Sequence, residues 1–204
     1  MQVLLVFISA ALVNNFVLAR FLGVCPFLGA SGKVETAAGM GVAVTFVMTL
    51  SSAAAFVVYR FLLMPQRIAD TNIFTSVLAA DITYLYLVAF ILIIAALTRV
   101  TELFIRKTSP ALYQALGIYL PLITVNCAVL GVAVLNRDQR DFLTAVARGA
   151  GAAVGFLIVI VLFAGIRERM ERSSPPPSFA GLPIALVAAG LMSVAFMGFT
   201  GLVK

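Results

Sequence analysis

Cys25 and Cys127 are the only cysteines in a chain of 204 residues, and each opens the same short pattern, Cys-x-x-Leu-Gly. A lone buried cysteine usually packs as a small hydrophobe. Two of them at matching places in a repeated pattern point instead to thiol chemistry. Thiolates bind soft metals, so the candidates are zinc, copper(I) and an iron–sulfur cluster. A regulatory disulfide is the remaining option, uncommon outside oxidising compartments. There is no histidine, which removes the His-rich metal sites, and two cysteines cannot build a disulfide framework. A cluster held entirely by thiolates needs four of them. Since this chain has two, a cluster would require a second protein to bring the rest.

The sequence around each cysteine is apolar but interrupted. The first stretch runs Asn14-Asn15-Phe16-Val17-Leu18-Ala19-Arg20-Phe21-Leu22-Gly23-Val24-Cys25-Pro26-Phe27-Leu28-Gly29, and the second Leu120-Pro121-Leu122-Ile123-Thr124-Val125-Asn126-Cys127-Ala128-Val129-Leu130-Gly131. Hydrocarbon tolerates few such amides, prolines and charges, so irregular backbone here must be buried in protein or face a polar cavity. Asn14, Asn15, Thr124 and Asn126 are the side chains expected to satisfy the loosened backbone, with Gly29 and Gly131 closing the two patterns.

The elements that must position these stretches follow from composition. With 63% hydrophobic and 11% charged residues and a mean hydropathy of +1.13, the chain is outside the soluble globular range and is expected to be an all-α integral membrane protein. At roughly 20 apolar residues per span, its length suits six transmembrane helices. The net charge of +6 lies in short loops and does not call for nucleic acid. The apolar stretch beginning at Val3 has no basic flank before it, so a cleavable signal is not expected.

Along the chain, residues 1–32 are expected to form a broken first span, interrupted by Asn14, Asn15, Arg20 and Pro26. The uncharged run 36–59 makes a second span opening on Gly39-x-Gly41, where small residues admit a close neighbour. A loop over 61–81 leads to a third span at 82–98, followed by Arg99, Glu102, Arg106 and Lys107. Glu102 stands three and four residues from Arg99 and Arg106, on one helical face. The fourth segment, between Lys107 and Arg137, is interrupted like the first. A fifth span with Gly149-x-Gly151 runs to Ile166 and a charged end at Arg167–Arg172. Pro175-Pro176-Pro177 is an extended linker, and Pro183 precedes the sixth span, 184–203.

The order is broken span, Gly-x-Gly span, plain span, and then the same again. Cys25 and Cys127 stand 102 positions apart, half the chain, as a duplication requires. The two repeats are 1–107 and 108–204. Three spans per repeat is an odd number, so the second repeat enters the membrane inverted. Counting loop charges, Lys33, Arg99, Arg106, Lys107, Arg167, Arg169 and Arg172 lie on one side and Arg60, Arg67, Arg137, Arg140 and Lys204 on the other. The positive-inside rule then puts both termini outside, in the periplasm of a bacterial inner-membrane protein.

Several strings carry a resemblance over essentially the whole chain: Val13-Asn14-Asn15-Phe16-Val17-Leu18, Phe21-Leu22-Gly23-Val24-Cys25-Pro26-Phe27, Arg106-Lys107-Thr108-Ser109-Pro110, the stretch from Leu120 to Gly131, and Ala195-Phe196-Met197-Gly198-Phe199. They resemble the A-type membrane component of the Rnf complex, the bacterial membrane-bound ferredoxin:NAD oxidoreductase coupled to ion transport. The E-type component of the sodium-pumping NADH:quinone oxidoreductase is a near relative, and the Asn14-Asn15 pair and Cys25-Pro26-Phe27 fit the Rnf pattern better. The resemblance implies a six-span protein that holds one [2Fe–2S] cluster jointly with a paralogue, the E-type component of the same complex. Cys25 and Cys127 would supply half the ligands, and electron flow would be coupled to Na⁺ or H⁺ movement alongside the B, C, D and G components. The competing expectation is a self-contained inverted-repeat transporter. Such a protein should carry an ionisable residue inside a span, and only Arg20 and Asp81 stand near one.

Overall fold

In hydrocarbon every backbone N–H and C=O must be satisfied within its own segment, which a helix does and an open strand does not. In the computed structural model, which describes residues 2–58, 60, 88, 90–100, 102–104, 106–107, 122–123, 125–136, 141–173, 176 and 178–198, every regular element is helical. Helix α1 (Gln2–Ile8) runs into a π-helical turn, Ser9–Val13, and stops at Asn14. After an irregular stretch come α2 (Val24–Ala30) and α3 (Val34–Val58). Residues 90–100 are helical. Then follow α4 (Cys127–Leu135), α5 (Phe142–Arg172) and α6 (Leu182–Met197). By length and composition, α3 and α5 are each able to cross a membrane.

The expected second span coincides with α3, and the charged end Arg167–Arg172 continues α5 without a break. The first span is interrupted as expected, but between Asn14 and Gly23 and not at Pro26. Pro26 lies in the first turn of α2, and Pro183 in that of α6, where a missing N–H costs no intrahelical bond. Arg99 and Glu102, expected on one helical face, form an ion pair at 2.9 Å. The loop at 61–81, Asp81, Thr124, and the charges Arg67, Arg137, Arg140 and Lys204 lie outside the described residues.

Helix α5 is the axis against which the others pack. A Cβ at Gly149, Gly151 or Gly155 would run into Ser52 of α3, the Phe7 carbonyl of α1 or the Ala11 carbonyl of the π turn. Small residues thus let α1 and α3 lie almost backbone to backbone on α5, the packing that replaces hydrophobic drive between helices in lipid. The contacts run Phe7 to Gly151 and Ala11 to Gly155, so α1 and α5 are parallel. Along α3, Val42, Phe46 and Leu50 form an exposed apolar stripe, a face suited to lipid or another membrane protein.

Candidate functional site

The first interruption is held open by one amide. Asn15 is buried; its Nδ2 donates to the Ala11 carbonyl (3.2 Å) and across to the Gly155 carbonyl of α5 (3.0 Å), while its Oδ1 accepts from the Val17 N–H (3.1 Å) and the Leu18 N–H (3.5 Å). The Ser193 hydroxyl of α6 donates to the Leu18 carbonyl at 2.7 Å. Backbone groups lost from the helix are therefore recovered by side chains, as buried polar groups require. Asn14 is exposed and closes the π turn, its N–H and side-chain amide both donating to Ser9.

Past this stretch the chain turns through two left-handed residues, Phe21 (φ 54°) and Gly23 (φ 80°). Gly23 starts α2 without any side-chain cap, and Cys25 is the second residue of that helix. The remainder of α2 is fastened to α5. The Phe27 ring stacks on Phe163 at 4.3 Å, and Arg167 donates to the Leu28 carbonyl (2.8 Å) and the Ser31 hydroxyl (2.9 Å). The next residue, Glu168, accepts from the Val34 N–H at the start of α3 (2.9 Å). A cation thus meets the carboxyl end of one helix and an anion the amino end of the next, the favourable sense for both dipoles.

The second interruption is capped locally. Asn126 is buried, and its Oδ1 accepts from the Ala128 N–H at 3.0 Å, which makes Cys127 the first residue of α4. The two interruptions meet: the Gly23 N–H donates to Cys127 Sγ at 2.9 Å. A Cβ on Gly23 would lie 3.0 Å from both Ala128 Cβ and Asn126 Oδ1 and 3.3 Å from the Phe156 ring. Only glycine suits both the left-handed backbone and this approach. Both cysteines are nonetheless exposed, and Phe21 and Val125 beside them are 66% and 77% exposed. The Nδ2 of Asn126 is buried with no partner among the described residues.

Of the residues expected here, Cys127 and Asn126 are brought against the first interruption at Gly23, while Cys25 follows Gly23 by two residues. Asn15 acts earlier in the stretch, through α5. Gly29 is exposed on α2, and a Cβ on Gly131 would meet Leu22 at 2.9 Å, so Gly131 serves packing between the two interruptions. Sequence alone did not single out Gly23, Arg167, Glu168 or Ser193. Gly23 had a signal, a glycine two residues before the cysteine at a break; Arg167 looked like any charged helix end. Among the described residues no three His, Cys, Asp or Glu side chains converge, so the chemistry offered is that of two exposed cysteines, one of which, Cys127, accepts the Gly23 N–H.

A family model described as "Rnf-Nqr subunit, membrane protein" matches residues 3–203. The chain belongs to the Rnf-Nqr family. Within it, the chain is 55% identical over 203 residues to the A component of the Na⁺-translocating ferredoxin:NAD⁺ oxidoreductase complex of Acetobacterium woodii, covering 99% of this chain and 98% of the relative. It is 56% identical over 202 residues to the A component of the ion-translocating oxidoreductase complex of Sodalis glossinidius (98% and 97% covered). It is 52% identical over 204 residues to that of Aeromonas salmonicida (100% and 98%). Membership of the Rnf-Nqr family makes it a membrane protein and a component of an ion-translocating oxidoreductase complex, in agreement with its composition and long apolar helices.

Proposed function

We propose that this chain is the A component of an ion-translocating ferredoxin:NAD oxidoreductase complex, in which Cys25 and Cys127 provide half the ligands of a [2Fe–2S] cluster shared with the paralogous E component. The observation that carries this is the bond from the Gly23 N–H to Cys127 Sγ, which joins the two interruptions while both cysteines remain exposed. Thiols that served only as packing would be covered by their own chain. Exposed apolar side chains beside them, Phe21 and Val125, suit a second membrane protein closing over the pair.

The residues present fit such a group. Anionic sulfur in low dielectric is costly unless donors face it. The Gly23 N–H is one such donor, and the Cys25 and Cys127 N–H groups lie in the first turns of α2 and α4, where the helix itself supplies no acceptor. The unpartnered Nδ2 of Asn126 adds a buried amide next to Cys127. When bound, the cluster supplies one-electron transfer between redox centres on the two sides of the membrane. Gly23 packs against Phe156, near the middle of the uncharged run 149–166 of α5, which supports mid-membrane depth for the thiols. The same proposal includes six spans as two inverted repeats, both termini periplasmic in a bacterial inner membrane, the B, C, D and G components as further partners, and coupling to Na⁺ or H⁺ movement.

The test is Cys25→Ser and Cys127→Ser in the assembled complex, followed by EPR and ferredoxin-dependent NAD reduction. Each variant should lose one cluster signal and the activity while the complex stays assembled. Unchanged spectra and rates in both variants would refute the cluster and favour a transporter with incidental cysteines. A cysteine placed at position 204 should be labelled from the periplasmic side; labelling only from the cytoplasm would reverse the topology.

A further inference from the structure

Every polar group of Asn126 is used except one. Its N–H donates to the Ile123 carbonyl (3.2 Å), its carbonyl accepts from the Val129 and Leu130 N–H groups (3.1 and 3.3 Å), and its Oδ1 caps α4 through the Ala128 N–H (3.0 Å). Only Nδ2 is buried with no acceptor among the described residues. Asn15, the buried amide of the first interruption, shows the ordinary outcome, with nitrogen and oxygen both bonded. Helix capping does not account for the spare donor at Asn126. Serine and aspartate cap about as well as asparagine, and neither brings an amide nitrogen. A buried donor left unsatisfied is destabilising, so asparagine at this place points to an acceptor that the chain by itself does not present.

Position narrows what that acceptor is. Cys127 is the next residue, and its Sγ and the Asn126 amide both lie against Gly23: the Gly23 N–H is 2.9 Å from Sγ, and a Cβ on Gly23 would be 3.0 Å from Asn126 Oδ1. The Nδ2 atom is covered by its own chain while Cys127 is exposed, so a group arriving from outside meets the cysteine and not the amide. A thiol sulfur is a weak acceptor, and here the Gly23 N–H already serves it. An iron-bound thiolate is anionic, and N–H bonds to it are charge-assisted. The change that makes Cys127 a ligand therefore also creates the acceptor that Nδ2 lacks.

We infer that Asn126 is a positioning residue for the cluster, its Nδ2 donating to the Cys127 thiolate and raising the reduction potential, an inference that rests on the cluster ligation proposed above. Hydrogen bonds to ligand sulfur favour the reduced, more negative state of a cluster, which is how N–H donors set its potential. Asn126 thus caps α4 with the oxygen of its amide and, with the nitrogen, tunes the sulfur of the residue that opens the helix.

The experiment uses the intact complex, with an EPR-monitored redox titration of the cluster as the readout. Asn126→Ser keeps a capping oxygen and removes the donor. It should retain the cluster signal and lower the equilibrium constant for reduction about tenfold, a midpoint about 59 mV more negative for a one-electron couple. Asn126→Asp, which puts an anion in place of the amide, should lower it at least as far. A role in capping alone would move the melting temperature and leave the midpoint where it was. In wild type grown with asparagine isotopically labelled at the side-chain nitrogen, pulsed EPR should show that nitrogen coupled to the cluster, and the coupling should vanish in Asn126→Ser. Should neither variant assemble, the wild-type coupling decides. An unchanged or raised midpoint with the cluster signal intact, or no side-chain nitrogen coupling in wild type, would overturn the inference and leave the cluster standing. A cluster signal that survives Cys127→Ser would instead remove the ligation itself, and this inference with it.

Discussion

The two interruptions share a sequence pattern but are held in different ways. The second is self-sufficient: the Asn126 side chain caps the Ala128 N–H, and α4 begins at Cys127. The first has no such cap. Its irregular backbone from Asn14 to Gly23 is satisfied from elsewhere, by Asn15 reaching Gly155, by Ser193 reaching Leu18, and by Arg167 gripping the far end of α2. One cysteine is thus placed by local chemistry and the other by tertiary contacts. The shared sequence pattern places a thiol at each interruption without placing the same support there, and the contact from Gly23 to Cys127 is where the two modes join.

If this contrast is right, the largest loss should come from the residue that supports the first interruption at a distance. Asn15→Leu strands the Gly155 carbonyl and the Val17 and Leu18 N–H groups, and should cost about 3 kcal/mol, in the upper range for buried unsatisfied groups. A lowered melting temperature of the purified complex checks this; an unchanged one would mean the segment is capped some other way. Gly23→Ala forces a Cβ into left-handed backbone against Ala128 and Asn126, an expected loss of about 2 kcal/mol. It should also shift the EPR signal assigned to the thiols, because the Gly23 N–H moves from Cys127. A stability loss with an unaltered signal would leave packing intact as an explanation and remove the sulfur contact.

Asn126→Ala sharpens the contrast from the other side. It deletes one N-cap, worth about 1 kcal/mol, and also an amide nitrogen that has no partner among the described residues, so its net effect should be smaller than that of Asn15. A loss larger than for Asn15→Leu would invert the comparison. The smallest effect belongs to Glu102→Gln, which breaks an ion pair with the exposed Arg99 and should change stability by no more than about 0.5 kcal/mol. A melting curve displaced by several degrees there would show that the Arg99–Glu102 helix end matters to assembly.

Much of the helical plan is legible in sequence because its signals are local. An uncharged run bounded by Glu35 and Arg60 announces α3, and amides beside apolar runs announce a break that must be satisfied inside the protein. That logic anticipates the role of Asn15, though not its partner. Pro26 looks like a breaker because proline reads the same whether it ends a helix or opens one; only the surrounding backbone distinguishes the two. Arg167 and Glu168 are indistinguishable from a solvated helix end until the ends of α2 and α3 are seen to meet them.

Residue type and spacing by themselves established a membrane chain, two interruptions, a repeated thiol and a family. Which apolar faces touch was settled only in three dimensions. In helices nearly as apolar on the lipid side as on the protein side, periodicity does not mark the buried face, and the choice falls to glycines that admit a neighbour's backbone and to polar side chains that find distant carbonyls. The meeting of Gly23 with Cys127, and of Asn15 with Gly155, are outcomes of that packing, between positions more than 100 residues apart.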